Sequence, residues 1–465
     1  MSHKPTASPR SDPRLSHRLS RWALALPGVL ALAACGGGYT SGGGLSCSTA
    51  DQETWLAGYF ANDYLWAAYS PNYPPQTATL ADYFDSLLYT GGDPSYPVGV
   101  ADFWSTSYSD DAFNRLYGSG QDLGYGVFVN GIEAEASGAT LAVRYVDPGS
   151  PAAAAGILRG DAIVSLNGVP AATLVSTNDF SALASDTEGQ TLTIVTSNGS
   201  GTHTATLTSA VYTLTPVQGA RVVTSPGGRK LGYVMVTDLI DQALSPYDAA
   251  FAQFKSAGVQ DVVVDLRYAG SGSVGDGEVM ASYPSSTATT GQVYANLYFN
   301  PFISSFSDSY YTFDAEANAI SLPRVFVLTG PRTCGVAEQF VNGLAPWTQV
   351  VTLGDTTCGK PVGATPASNC GTTWAIMTFQ VTNGAGTGSY YGGLPASCPV
   401  SEDLSVALGD DADPLLAGAA SYADVGVCPP ASSMPAGTSA RRHSIGSRLE
   451  ASWLEPTNRR GTLMN

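Results

Sequence analysis

Histidine is nearly absent from this chain. Among 465 residues there are four: His3 and His17 near the start, His203 in a run of short strands, and His443 in the polar last stretch. None falls where strands and helices alternate, so a serine or cysteine nucleophile has no histidine base there, and a His-rich metal site is excluded. Lysine is scarce too. Beyond residue 34 only Lys230, Lys255 and Lys360 remain. The seven cysteines contain no CxxC pair, which removes the zinc-ribbon and thioredoxin-like readings. The glycine-rich run Gly270 to Gly275 lacks the lysine and the following serine or threonine of a phosphate-binding loop. No metal and no cofactor is therefore expected.

What is present describes an exported, globular protein. At 44% hydrophobic and 10% aromatic residues, the chain has enough apolar side chains for two or three cores and is not a disordered one. The formal charge is −17. Residues 1–34 hold a net +4 (Lys4, Arg10, Arg14, Arg18 and Arg21 against Asp12), which leaves −21 on the remainder. So acidic a surface repels phosphate backbones and argues against nucleic acid as a partner. The same 34 residues contain an apolar run, Trp22 to Leu32, too short to span a bilayer but suited to a secretory signal. It ends in Leu32-Ala33-Ala34-Cys35, which resembles a bacterial lipobox and makes Cys35 the expected lipidated residue of the mature chain. Gly36 follows in place of an inner-membrane retention aspartate, so the expected location is the outer membrane, facing the periplasm, with the lipid anchor as the only membrane contact. The six other cysteines, an even number in an exported chain, are expected to form disulfides, although 15 pairings are open.

Taken in order, residues 1–34 read as a lipoprotein signal peptide and 35–49 as a lipidated cysteine with a flexible glycine-rich tether. Residues 50–117 carry Trp55, Tyr59, Tyr64, Trp66, Tyr69, Leu80, Tyr83, Phe84 and Leu87 at helical spacing and read as an N-terminal helical domain, the aromatics being core. Residues 118–212 turn to short strands and glycine turns. There the run from Pro148 to Ile157, followed by Arg159-Gly160-Asp161-Ala162-Ile163-Val164-Ser165-Leu166-Asn167-Gly168, resembles a PDZ domain of the bacterial protease type. Such a domain adds a peptide as an extra strand and receives its terminal carboxylate on backbone amides, and Gly124, Tyr125, Gly126 and Val127 are the expected carboxylate loop. From Lys230 the pattern alternates between strand and helix, an α/β core spanning 213–427. Its strand Asp261 to Leu266 runs into the glycine-rich loop, whose amides suit a developing oxyanion. Residues 428–465 are polar, carry five arginines against two glutamates, and are expected to be disordered.

Within the core, Val325 to Leu328 is an apolar strand. A glycine and proline turn follows, then a helix opening near Val336, the geometry that exposes a nucleophile beside helix N-terminal amides. A second strand, Val350 to Leu353, leads to a loop holding Lys360 among small or apolar residues. Desolvated, such a lysine becomes a general base. Solvated, it is an ordinary loop lysine. The order of helical segment, PDZ-like domain, Leu266-Arg267-Tyr268 loop, Thr333-Cys334-Gly335-Val336-Ala337-Glu338 turn and Gly354-Asp355-Thr356-Thr357-Cys358-Gly359-Lys360-Pro361 loop resembles the C-terminal processing (tail-specific) peptidases, over about residues 50–427. The resemblance implies a crotonase-like α/β core, a serine–lysine dyad, and substrates chosen by unstructured C-terminal tails. By position Lys360 matches the general base, Glu338 the glutamate three residues after the nucleophile, and Gly270 and Val336 the oxyanion-hole region. The nucleophilic serine, however, falls on Gly335, which has no side chain. The expectation is a family member that binds tails with hydrolysis lost or impaired. The alternative is an active endopeptidase using Cys334, Thr333, or a serine of the adjacent loop, Ser271 or Ser273. A working dyad would also bring Cys334 close enough to Cys358 for a disulfide, which would leave no free thiol.

Overall fold

The computed structural model describes residues 46–71, 79–131, 134, 138–285, 287–302, 305–430 and 463–464. Cys35 and the signal segment lie outside them. Among the described residues no helix is long and apolar enough to cross a membrane.

The core is built on a six-stranded sheet in the order Val217–Thr224, Lys230–Val236, Asp261–Asp265, Arg324–Thr329, Gln349–Gly354 and Cys398–Pro399. The first pair is antiparallel and every later pair parallel. The central strands read as unbroken apolar runs because both of their faces are covered. Alternate residues serve opposite layers: Val262, Val264, Val325 and Val327 pack with Tyr247, Phe251 and Phe340, while Val263, Phe326 and Leu328 pack with Leu415, Leu416 and Ala419. The first group brings in helices Asp241–Ala257 and Val336–Leu344, the second helix Pro414–Val425. In a parallel sheet the carboxyl ends of neighbouring strands open on the same edge. Asp265, Thr329 and Gly354 end three adjacent strands, so the loops that follow them meet.

One buried cation fastens this edge. The Arg267 guanidinium, 2% exposed, pairs with Asp265 at 2.8 Å and with Asp413 at 2.6 Å. Glu402 joins it to Arg159, which also donates to the Tyr268 hydroxyl at 2.7 Å. Arg159 belongs to the strand-rich 118–212 segment, whose separate core gathers Tyr125, Val127, Val143, Ile163, Leu166 and Ile194. Strands Ala162–Leu166, Val169–Pro170, Thr191–Asn198 and Gly201–Thr208 form an antiparallel sheet.

The N-terminal segment holds helices Thr49–Asp63 and Leu80–Leu87, with Trp66, Tyr64 and Phe84 among its buried residues. It is not wholly helical. Thr106–Ser109 is a strand paired with Thr372–Ala375, and the segment's core includes Val362, Ala364 and Trp374, so its last part finds its hydrogen bonds across the molecule. Three disulfides join Cys47 to Cys370, Cys334 to Cys358, and Cys398 to Cys428. The stretch expected to be disordered from 428 onward differs in two places: Cys428 is held by its disulfide, and Leu463–Met464 is a strand. The other residues after Pro430 lie outside the described set.

Candidate active site

The turn between strand Arg324–Thr329 and helix Val336–Leu344 is held from below by one hydroxyl. Thr333, fully buried, donates from Oγ1 to the Leu266 carbonyl at 2.8 Å and accepts the Gly330 amide at 2.9 Å. Cys334 donates its amide to the Ala269 carbonyl at 2.9 Å, which stitches the turn to the loop carrying Gly270. That loop is less open than its composition suggests: Ser271–Ser273 is a short strand, and Ser273 Oγ caps helix Val274–Ser282. Gly335 stands at the helix entrance with φ +56° and ψ −110°. This is a backbone region that side-chain-bearing residues rarely adopt, and the kind of strained turn that holds a nucleophile exposed. Val336 is the first helical residue and is buried.

Glu338, three residues on, is the node of the site. Its Oε1 accepts the Thr357 hydroxyl and the Gly359 amide (2.8 Å), while its Oε2 accepts the amides of Gly335 (3.1 Å) and Lys360 (2.8 Å). The bond from Gly335 is half of a capping box. The other half is missing because glycine offers no side chain. A single carboxylate oxygen thereby holds the backbone of the turn against that of the lysine loop. Burial pushes the Glu338 carboxyl up, and the four donors oppose this. The net result is a carboxyl raised to about 7, with the four donors favouring the anion against the burial.

Lys360 is 2% exposed, whereas Lys230 and Lys255 are exposed. Burial lowers its pKa to about 7, against the opposing negative charges of Asp102 and Glu338. The solvated-loop reading of this lysine therefore does not describe the structure. Asp102 carried no signal in the sequence. It is buried in the N-terminal segment, where it accepts the Tyr64 hydroxyl at 2.7 Å and the amides of Trp104 and Ser105 at 2.9 Å each. Only the packing of that segment on strand Val362–Ala364 brings its charge to bear on Lys360. Thr357, also missed, links the node onward by accepting the Leu394 amide at 2.7 Å.

A buried lysine of this kind costs stability in a pH-dependent way. Its folded value of about 7 lies below the ordinary 10.5, so between these values the unfolded chain binds a proton that the folded chain has released. Stability then rises with pH across that window. Lys360→Met is expected to be more stable than the natural chain at pH 7, with the gap narrowing by about 1 kcal/mol per pH unit toward pH 10. Urea unfolding of both proteins at several pH values measures it. A gap that stays constant or widens would show that Lys360 is not desolvated.

The substitute nucleophiles fare poorly. Cys334 is bonded to Cys358 and has no thiol, and the Thr333 hydroxyl is committed on both sides. Cys334, Glu338 and Cys358 cluster within metal-ligand distance, but two of their three donor atoms form the disulfide. In the strand-rich domain, Gly124, Tyr125, Gly126 and Val127 are all buried. The Tyr125 and Gly126 carbonyls accept the amides of Ala152 and Asp147, both at 2.9 Å, which closes this loop against the short helix Pro151–Ala154.

Residues 143–196 match the PDZ domain family. The chain is 28% identical over 210 residues to the chloroplastic carboxyl-terminal-processing peptidase 2 of Arabidopsis thaliana, covering 44% of this chain and 37% of the relative. It is 32% identical over 165 residues to peptidase 3 of the same plant, covering 33% and 30%. The matched stretches thus span about a third of each curated relative. A crystallised protein from Bacteroides fragilis assigned to the S41 proteases superposes with a TM-score of 0.61 at 21% identity, covering 80% of this chain and 97% of that one, a likeness of fold. The chain thus resembles the carboxyl-terminal-processing peptidases over part of its sequence, shares the fold of a crystallised S41 protease, and carries a PDZ domain.

Proposed function

We propose that this is an exported, lipid-anchored protein of the outer membrane that receives unstructured C-terminal tails of proteins or peptides and no longer hydrolyses them. The observation that carries the reading is Gly335. It stands at the one position where acyl transfer needs a hydroxyl, between Cys334 and Val336, in a turn whose backbone and whose buried lysine are otherwise those of a dyad. Support for loss of hydrolysis comes from the engaged state of Thr333 and Cys334. Support for retained binding comes from the PDZ match and from the amides gathered at the helix entrance. A tail-binding protein of this kind would act as a scaffold, an inhibitor or a decoy.

The alternative, an active serine-type endopeptidase, has one observation in its favour. Ser271 Oγ is buried and makes no hydrogen bond among the described residues, in the strand that follows Gly270. A single assay separates the two. The purified chain is incubated with a disordered peptide ending in apolar residues, beside Lys360→Ala and Ser271→Ala. Binding is expected without cleavage in all three. Cleavage by the natural chain that is lost on substituting Lys360 would overturn the reading, and its loss in Ser271→Ala as well would name the nucleophile.

A further inference from the structure

The second sheet of the core is seven-stranded, in the order Asp238–Leu239, Ser271–Ser273, Leu463–Met464, Val362–Ala364, Met377–Thr382, Val293–Phe299, Ser309–Thr312. Leu463–Met464 comes from the far end of the chain and lies inside the sheet, not at its edge. It pairs in parallel on both sides, Gly272 with Leu463 and Ser273 with Met464 on one, Ala364 with Met464 on the other. Its two neighbours do not pair with each other. Their other edges are occupied by Asp238–Leu239 and Met377–Thr382. Between them lies a slot the width of one strand, roughly 9 to 10 Å from wall to wall, whose backbone groups have no other partner in the sheet.

One wall is rigid. Gly272 has φ +149°, and a Cβ there would stand 2.1 Å from the Leu239 carbonyl oxygen, so strand Ser271–Ser273 is pressed too close against its neighbour to shift toward it. The slot also runs through the candidate centre, since Ser271 directly follows Gly270 and Val362 lies two residues beyond Lys360.

We propose that the chain's own segment Leu463–Met464 is a ligand of this slot, an internal strand that must leave before a peptide from outside can be added in its place. The inference rests on the peptide-binding reading above and names the resident competitor at that site. Reach is not limiting: Pro430 and Leu463 are 33 positions apart, and a chain of that length can extend to about 110 Å. Charge favours it as well. Residues 429–465 carry five arginines and two glutamates on a chain whose net charge is −17. Tethering raises the local concentration of such a segment to the millimolar range, so a free peptide competes at a disadvantage.

The test uses the full chain and the double substitution Leu463→Pro with Met464→Pro, which removes both amides from the ladder. Hydrogen exchange is followed in the segments covering 269–274 and 361–366, and a fluorescent peptide of residues 459–465 is titrated into both proteins. Far-ultraviolet circular dichroism and the urea midpoint confirm that the variant is folded. Exchange in both segments is expected to be at least tenfold faster in the variant, and the peptide to bind it at least tenfold more tightly. Faster exchange without peptide binding would uphold the internal strand and sink the peptide-binding reading. Equal exchange in the two proteins would overturn the internal strand, whatever the peptide does. Protection that grows with protein concentration would assign the strand to a second copy and overturn the proposal for the single chain.

Discussion

Gly335→Ser is expected to create the peptide cleavage that the proposed reading denies the natural chain, and the new activity should depend on Lys360. On the reading proposed above, the residues around position 335 already supply the rest of a dyad site. The turn already has the positive φ of an exposed nucleophile, the Val336 amide opens the helix beside it, and the Oε2 atom of Glu338 holds the backbone at position 335 to that of Lys360. A serine there will be strained, at a cost of about 1–3 kcal/mol in stability, which a glycine at φ +56° avoids. Adding Lys360→Ala in the same background should lower the gained rate by about 10²- to 10⁴-fold, the usual weight of general-base catalysis. The sign of the pH dependence follows from the lysine. Only the neutral amine accepts a proton, so the rate should climb as pH rises through about 7. Peptide cleavage assayed from pH 5.5 to 8.5 decides it. A folded, peptide-binding Gly335→Ser protein that cleaves nothing, or one that cleaves equally well without Lys360, would show that more than the hydroxyl is missing.

Glu338→Ala should be the most damaging single change to stability in the site. It strands the amides of Gly335, Gly359 and Lys360 and the Thr357 hydroxyl together, all in a buried pocket. A buried donor left unpaired costs about 1–3 kcal/mol, so even with water entering the hole the loss should reach about 4 kcal/mol or more. Glu338→Gln keeps one accepting oxygen but turns an amide NH₂ toward two donors, and should be intermediate. Urea unfolding measures both. A loss below about 1 kcal/mol in the alanine variant would mean that the carboxylate does not hold the turn to the lysine loop. The disulfide between Cys334 and Cys358 ties the same two segments and should keep the alanine variant's fold from separating there altogether.

The legible parts of this protein are those whose signal is local. Strand Arg324–Thr329, helix Val336–Leu344 and strand Gln349–Gly354 announce themselves through short apolar runs, a turn, and the return of helical spacing, and the observed limits lie within a residue or two of that pattern. The glycine-rich run after Asp265 was legible as a loop but not as strand Ser271–Ser273, because its three residues become a strand only by pairing with Asp238–Leu239 and Leu463–Met464. Thr106–Ser109 was hidden for the same reason, its partner being Thr372–Ala375. Six cysteines announced disulfides without saying that Cys47 meets Cys370 and Cys398 meets Cys428.

From the sequence came the identity of the residues available for chemistry: a lysine in a loop of small neighbours, a glutamate three residues after a turn, no histidine to serve as base, and a glycine where the family resemblance places the hydroxyl. These depend on which side chains exist, and no packing can supply an absent oxygen. Whether the lysine is charged, whether Cys334 keeps a thiol, whether Thr333 is free, and what lies between Ser271–Ser273 and Val362–Ala364 were decided by tertiary structure. Each of these turns on groups distant in the chain. Asp102 is 258 positions from Lys360, yet its negative charge opposes the burial that lowers the lysine's pKa. Desolvation and pairing are sums over whatever the fold brings within a few ångströms, and that neighbourhood is written nowhere in the local sequence.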